Sequence, residues 1–249
     1  MLIAHPEGNY RFLVGIEPYS SGVIAEEGYE IVRAVLEEPL PWRRGFERIE
    51  AHLRGLGRGR EALCGVELRS PAPFTLQGFI DFNRRYCALL EEWDLFVEGK
   101  NPVARTHVVP LFSAPPAPAL HAFSYTVPAS PAVRPTLIVA GAGELRGGLL
   151  EEERILRPGD TSPEGMRIKA SYVMEVMEER LKGLGGDWNL VGAVGLYTVH
   201  LPEGLLEEIV LPRLGAAARR GIRWHWARPP VQGVDFEMDL RGVRTERLV

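Results

Sequence analysis

Read as apolar and polar positions, the chain alternates β-type runs with amphipathic helical stretches. Tyr10 to Gly15 is an apolar run stopped by glycine and predicts a strand; Ser20-Ser21-Gly22 predicts a turn, and the alternation from Tyr29 to Leu36 a second strand. Pro39 and Pro41 interrupt the chain, and from Trp42 the spacing of Phe46, Ile49, Leu53 and Leu56 predicts a helix stopped by Gly57. Ala62 to Leu68 reads as a strand. Pro73 to Trp93 reads as a second helix with one face made of Phe79, Phe82, Tyr86, Leu89, Leu90 and Trp93. Arg105 to Leu111 and Leu120 to Val127 are two strands joined by a proline-rich turn, so the order is ββαβαββ.

The same order returns further on. Thr136 to Ala140 is strongly β, Gly141-Ala142-Gly143-Glu144 is a glycine-rich strand end, and Arg154 to Arg157 reads as a short strand. Asp160, Thr161 or Ser162 caps a helix that carries Met166, Val173, Val176, Met177 and Leu181 and ends at Gly185. Leu190 to Val199 is a strand, Pro202 to Arg219 a second helix unless Pro212 breaks it, and Ile222 to Ala227 and Val234 to Leu240 are closing strands. Short echoes support the repeat. His52-Leu-Arg-Gly-Leu-Gly57 answers Arg180-Leu-Lys-Gly-Leu-Gly185, and Arg105-Thr-His107 answers Arg223-Trp-His225, each followed by a double proline. The expected organisation is a first domain over 1–127, a semi-rigid proline-rich linker over 128–135 and a second domain over 136–249.

Composition narrows the function. Of 249 residues, 45% are hydrophobic and 25% charged, an ordinary globular balance, and the net charge of −4 offers no basic footprint for nucleic acid. Cys64 and Cys87 have no metal-ligand spacing and read as reduced, buried thiols. The segment from Met1 to Pro6 lacks the basic stretch and apolar core of a signal peptide, and no apolar run reaches the roughly 18–20 residues of a membrane helix. No membrane partner and a cytoplasmic location are therefore expected. No P-loop, G-x-S-x-G elbow or Rossmann glycine pattern occurs, and no cofactor is expected.

The strand order, the Leu-Gly helix endings and the stretch Asn101-Pro102-Val103-Ala104-Arg105-Thr106-His107-Val108 resemble the RidA/YjgF family, whose corresponding strand reads Pro-Ala-Arg-Ser/Thr-x-Val. Phe79-x-x-Phe82-Asn83-x-x-Tyr86 is similar to the family's preceding helix, and Val234 to Asp239 to its closing acidic strand. The resemblance implies an α+β protein of two tandem RidA-like, chorismate-mutase-like domains, each with two helices on one face of a mixed sheet. It also implies a homo-oligomer, with a trimer favoured, and ligand pockets between neighbouring domains. It further implies a deaminase-type hydrolase acting on an imine or enamine of a small carboxylate-bearing metabolite. Fused relatives offer an alternative, a chorismatase-like lyase or hydrolase on a cyclic acid; a non-catalytic ligand-binding oligomer is the other.

The resemblance places Arg105 on a substrate carboxylate, a bidentate task for a planar guanidinium. The bland alternative is an interface salt bridge; in either case an arginine within an apolar strand needs an anionic partner. Arg223 is its counterpart by the repeat, in competition with Arg220. Glu237 matches the family's water-positioning acid, and Asp235, Glu237 and Asp239 share one strand face that is otherwise read as solvated. The first half has no carboxylate in Ala119 to Tyr125, so a pocket joining Arg105 to Glu237 or Glu144 from the second half is one way to complete a site. The expected catalytic set is Glu237, His225 and Glu144; the expected substrate-binding set is Arg105, Arg223, His107 and Tyr197. His107 and His225 read as neutral hydrogen-bonding or acid–base groups rather than metal ligands, since no HxH or HExxH spacing supports a metal. Gly141 to Gly143 offers backbone N–H groups to an oxyanion, and Trp224 and Trp226 either stack on a planar ligand or cover an oligomer core.

Overall fold

The computed structural model describes residues 1–131, 134–148 and 151–249; Ala132 and Val133 of the expected linker lie outside them. The first half runs β1 (Leu2–His5), β2 (Tyr10–Leu13), β3 (Gly22–Ala25), β4 (Tyr29–Pro41), α1 (Trp42–Gly55), β5 (Leu63–Arg69), α2 (Leu76–Glu92), β6 (Ala104–Pro110) and β7 (Ala119–Pro128). The second runs β8 (Leu137–Gly143), α3 (Pro163–Gly183), β9 (Ala193–Tyr197), β10 (Ile222–His225), β11 (Ala227–Arg228), β12 (Glu237–Gly242) and β13 (Thr245–Leu248).

The helices form for local reasons. Thr75 caps α2 by accepting from the Gly78 N–H at 3.1 Å, and Phe82, Tyr86 and Leu90 turn one face into the core. Ser162 caps α3 in the same way, with Pro163 at its first turn, and Met166, Ala170, Val173, Met174, Met177 and Leu181 are buried. The helix expected over 202–219 does not form as one element. Residues 206–210 make a π turn, and 211–213 and 215–220 are 3-10 turns. Pro212 removes a helical N–H, and Gly215 adopts a φ of 52°. Arg154 to Arg157 is likewise a turn, with a lone bridge between Leu145 and Ile155, rather than a strand.

The strands make two mixed sheets, ordered β1-β2-β3-β8-β12-β9-β10 and β11-β6-β5-β7-β4-β13. Within them, β4-β7-β5-β6 and β8-β12-β9-β10 share strand order and sense, each ending in a parallel pair. This does not make two tandem RidA-like domains, and that expectation is corrected. β3 of the first half joins β8, so the first three strands extend the second half's sheet. In return β11 pairs with β6, and β13 runs parallel to β4 as Thr245 to Leu248 against Val32 to Val35. Among the described residues the second half also has a single α-helix, so it does not repeat the ββαβαββ order with two helices on one face.

Helices α1 and α2 pack on one sheet and α3 on the other, each over its own apolar core. The remaining faces meet through Tyr10, Phe12, Val23, Ile31, Ala104, Ile138 and their neighbours, and through a buried ionic seam. There Glu67 accepts a two-pronged pair from Arg33 at 2.5 and 2.7 Å and lies 3.2 Å from Arg241. Arg241 donates to Asp239 at 3.0 Å, and Asp239 also accepts from Thr106 at 2.9 Å and Tyr197 at 3.1 Å. Burial alone would raise the Glu67 pKa, but Arg241 and Arg33 outweigh it and hold the carboxyl well below its ordinary value. Removing one member of such a seam leaves an uncompensated buried charge, at a cost of about 3–5 kcal/mol.

Candidate active site

Strand β6 carries Arg105 and His107 beneath α2, and β12 and β8 bring Glu237 and the Gly141-Ala142-Gly143 segment to the same place. Arg105, His107, Gly141, Gly143 and Glu237 thus line one cavity of about 50 Å³, closed by Tyr19, Phe79 and the Pro229–Val231 segment. That volume suits a carboxylate head group or a water or two, not a whole metabolite. Tyr19, Gly143 and Leu145 also line an adjoining cavity of about 480 Å³, within the usual range for a ligand pocket.

Arg105 is 2% exposed and forms no ion pair among the described residues. Its Nη2 donates to Asn83 Oδ1 at 2.7 Å, and its guanidinium lies 4.7 Å from the Tyr19 ring centroid and 4.8 Å from that of Tyr86. Burial pulls its pKa below the usual arginine value, against the pull of Tyr86 and Tyr19, yet an arginine keeps its proton. Around it, Arg105 Nη1, Asn83 Nδ2, Tyr86 OH and His107 Nδ1 are all buried without a hydrogen-bond partner. Buried polar groups are normally satisfied, so this cluster is an unmet demand for a polar, anionic guest.

Glu237 supplies the opposite character. Its carboxyl has no hydrogen-bond or ion-pair partner among the described residues. Burial, then the charges of Asp239 and Glu144, push its pKa well above the ordinary carboxylate value. Gly141 makes this possible: a Cβ there would run into Glu237 Oε1 and come within 3.2 Å of the Thr106 backbone. His107 is kept neutral by burial and by the nearby charges of Arg105 and Arg69, with Nε2 2.7 Å from Ser70 Oγ. It is a hydrogen-bonding group and not a cationic acid.

The other sequence candidates lie elsewhere. Glu144 is fully buried behind the cavity. Its oxygens accept from the Asp235 N–H at 2.6 Å and the Phe236 N–H at 3.0 Å, and Lys169 Nζ lies 3.3 Å away while reaching Asp235 at 2.5 Å. This clamp fixes the chain entering β12 and so sets where Glu237 stands. Tyr197 is bound to Asp239 in the ionic seam, and His225 stacks on its ring with centroids 4.8 Å apart. Arg223 lies on the edge strand β10 with its side chain 55% exposed, 3.7 Å from Glu246. Trp224 and Trp226 are exposed and stacked on each other. The face shared by Glu237 and Asp239 is buried between the sheets rather than solvated. Among the described residues no cluster of three or more His, Cys, Asp and Glu side chains could hold a metal, and no helix is long and apolar enough to cross a membrane.

Sequence reasoning did not mark as site residues Tyr19 of the cavity lining, Asn83 beside Arg105 (named only within a helix motif), or Arg180, which lines the adjoining cavity. The last falls one heptad after Val173, on the apolar face of α3, and that position was the available signal.

A buried cation without a counter-ion and a carboxyl whose pKa is raised, both lining one small cavity, are parts that can bind an acid and move a proton on it. Over residues 2–247 the chain matches, and belongs to, the family described as 2-aminomuconate deaminase CnbZ. It is 45% identical, over 244 residues covering 97% of this chain and 96% of the relative, to a 2-amino-5-chloromuconate deaminase from Comamonas testosteroni. It is also similar to two solved structures. One is a chorismatase, with 14% identity, TM-score 0.46, and 89% of this chain and 77% of that one covered. The other is a cyanuric acid hydrolase, with 11% identity, TM-score 0.43, and 86% and 67% covered. RidA/YjgF membership is therefore corrected: the family match runs along nearly the whole chain as one unit, not once per half. The motif around Arg105 is too short to fix the family.

Proposed function

We propose that the chain is a hydrolytic deaminase of 2-aminomuconate-type acids, releasing ammonia from an enamine next to a carboxylate. The family description supports the substrate class. The observation that carries the reading is the pairing in one cavity of Arg105, buried and without an acid partner, with Glu237, a buried carboxyl whose pKa is raised.

Arg105 holds the carboxylate beside the amino-bearing carbon, with Asn83 and neutral His107 orienting it. Glu237 gives its proton to the carbon chain of the dienamine, and the amino carbon becomes an iminium. The Glu237 carboxylate then takes a proton from water as the hydroxide adds to that carbon. In the carbinolamine, Glu237 protonates the nitrogen; the C–N bond breaks, ammonia leaves, and the hydroxyl proton returns to Glu237 as the carbonyl forms. One water enters, one ammonia leaves, and a 2-oxo acid remains. The Gly141–Gly143 backbone flanks the developing charge. Self-association is proposed as well, on the exposed cluster of Phe112, Trp224 and Trp226.

The test is ammonia release from 2-aminomuconate, followed enzymatically together with appearance of the 2-oxo acid. The wild-type protein is expected to turn it over, and Arg105→Met to lose about 30-fold to a few thousandfold in kcat/KM, the size of effect seen when one partner of a buried charge contact is truncated. Absence of ammonia release by folded wild-type protein would sink the reading.

A further inference from the structure

The larger cavity is not explained by a site that grips one carboxylate. It is walled by Leu13, Val14, Ile16, Ala142 and Val176, apolar surface suited to an unsaturated carbon chain, and at its side lies a second guanidinium, Arg180 of α3. Arg180 Nη1 donates to the carbonyls of Ala140 at 2.9 Å and Gly141 at 3.2 Å, so its position is fixed by the same strand end that makes room for Glu237. Its Nε and Nη2 have no partner among the described residues. Glu179 also lines this cavity but is exposed and makes no ion pair with Arg180. Tyr19 stands between the two arginines: Arg105 lies over its ring, and its phenol feels the charge of both. The two cavities share Tyr19, Gly143 and Leu145 as lining, so Arg105 stands in the cavity on one side of that shared wall and Arg180, with the apolar surface, in the cavity on the other.

We infer that Arg180 is a second carboxylate clamp, so that the site selects linear dicarboxylates whose far acid group reaches Arg180 while the near one sits on Arg105. This rests on the deaminase reading and names its specificity device. An arginine already held by two main-chain carbonyls is pre-organised, so little side-chain entropy is lost when the guest arrives. A chain with a methyl or amide at the far end leaves those donors unmatched.

The experiment compares muconate with sorbate, which has the same six-carbon diene skeleton but a methyl in place of the second carboxylate. Binding of each to wild type, Arg180→Met and Arg180→Lys is measured by calorimetry, and 2-aminomuconate turnover is followed in parallel. Wild type is expected to prefer muconate by about 30-fold or more. Arg180→Met should bring muconate down to the sorbate level and leave sorbate binding unchanged, with Arg180→Lys in between. Retention of the muconate preference in Arg180→Met overturns the inference and leaves the deaminase reading standing. Equal loss of both acids in Arg180→Met and Arg180→Lys also overturns it, by showing Arg180 to be a strut for β8. Wild-type protein that binds neither acid and releases no ammonia brings down both.

Discussion

Strands β6 and β10 carry the same short signature, Arg-x-His, at matching places in two equivalent strand orders, and the structure treats them in opposite ways. Over β6 lies the unbroken helix α2, whose Phe79, Phe82 and Tyr86 wrap Arg105 and strip it of water. Over the corresponding part of the second half the chain is broken into π and 3-10 turns, and β10 is left as a sheet edge. Arg223 there is solvated and near Glu246. The same side chain is a buried cation without an acid partner in one half and a surface charge in the other. The difference lies in what surrounds each strand, an unbroken helix and a flanking strand β11 for β6 and a sheet edge for β10, not in the motif. A buried cation lacking a partner retains most of its Coulombic attraction for a guest, whereas an exposed ion pair contributes about 0–1 kcal/mol.

That contrast is broken most severely from the Glu237 side. Glu237→Gln removes the proton donor but keeps the shape, and kcat should fall by about 10²–10⁴-fold, the usual weight of general acid–base catalysis. In wild type, kcat/KM should decline as pH rises through the elevated pKa of Glu237. Stability has the same sign: between the ordinary value of 4.5 and that raised value the folded state holds a proton the unfolded chain has lost, so stability falls as pH rises across this window. Thermal melts against pH should show that decline in wild type and its absence in Glu237→Gln.

A smaller effect is expected from Gly141→Ala. The added methyl must displace the Glu237 carboxyl or part β8 from β6, for an overpacking cost of about 1–3 kcal/mol, with activity reduced beyond the loss of folded protein. Denaturant titration and turnover of the residual folded fraction separate the two. The smallest effect sharpens the comparison: Arg223→Ala should change kcat/KM by less than about 3-fold, as suits an exposed pair. A loss comparable to that of Arg105→Met would show that β10 takes part in the site after all.

Arg105 was legible because a cation in an apolar run stands out, and Phe46, Ile49, Phe82 and Leu90 announced their helices through spacing alone. Glu237 was legible as a member of an alternating strand but not as buried, because alternation says which residues share a face and not what covers it. The ionic seam shows why. Thr106 meets Asp239, and Arg241 meets Glu67, across sheets whose packing no local pattern encodes. Arg180 was hidden in the charged run Glu178-Glu179-Arg180, which reads as a solvated turn of helix. β3 was not legible, only its first residue falling in the expected turn at Ser20-Ser21-Gly22; that Gly22 is what lets the Ile138 carbonyl approach. β13, written Thr-Glu-Arg-Leu, carries no apolar alternation at all; its pairing with β4 places it.

The pairing of β13 with β4 also sets the order in which the molecule can be completed. Residues near position 248 must find partners near position 35, a contact across almost the whole chain whose loop-closure entropy is spent before any pairing is gained. β13 follows β4 by some two hundred residues, and β4 leads directly into α1, on the sheet that holds Arg105. Until β13 has paired, β4 waits with an open edge, which makes this a slow-folding topology exposed to wrong edge-to-edge pairing in the meantime. The charges of Glu246 and Arg247, set where an apolar strand would be stickier, are the chain's own restraint on that hazard.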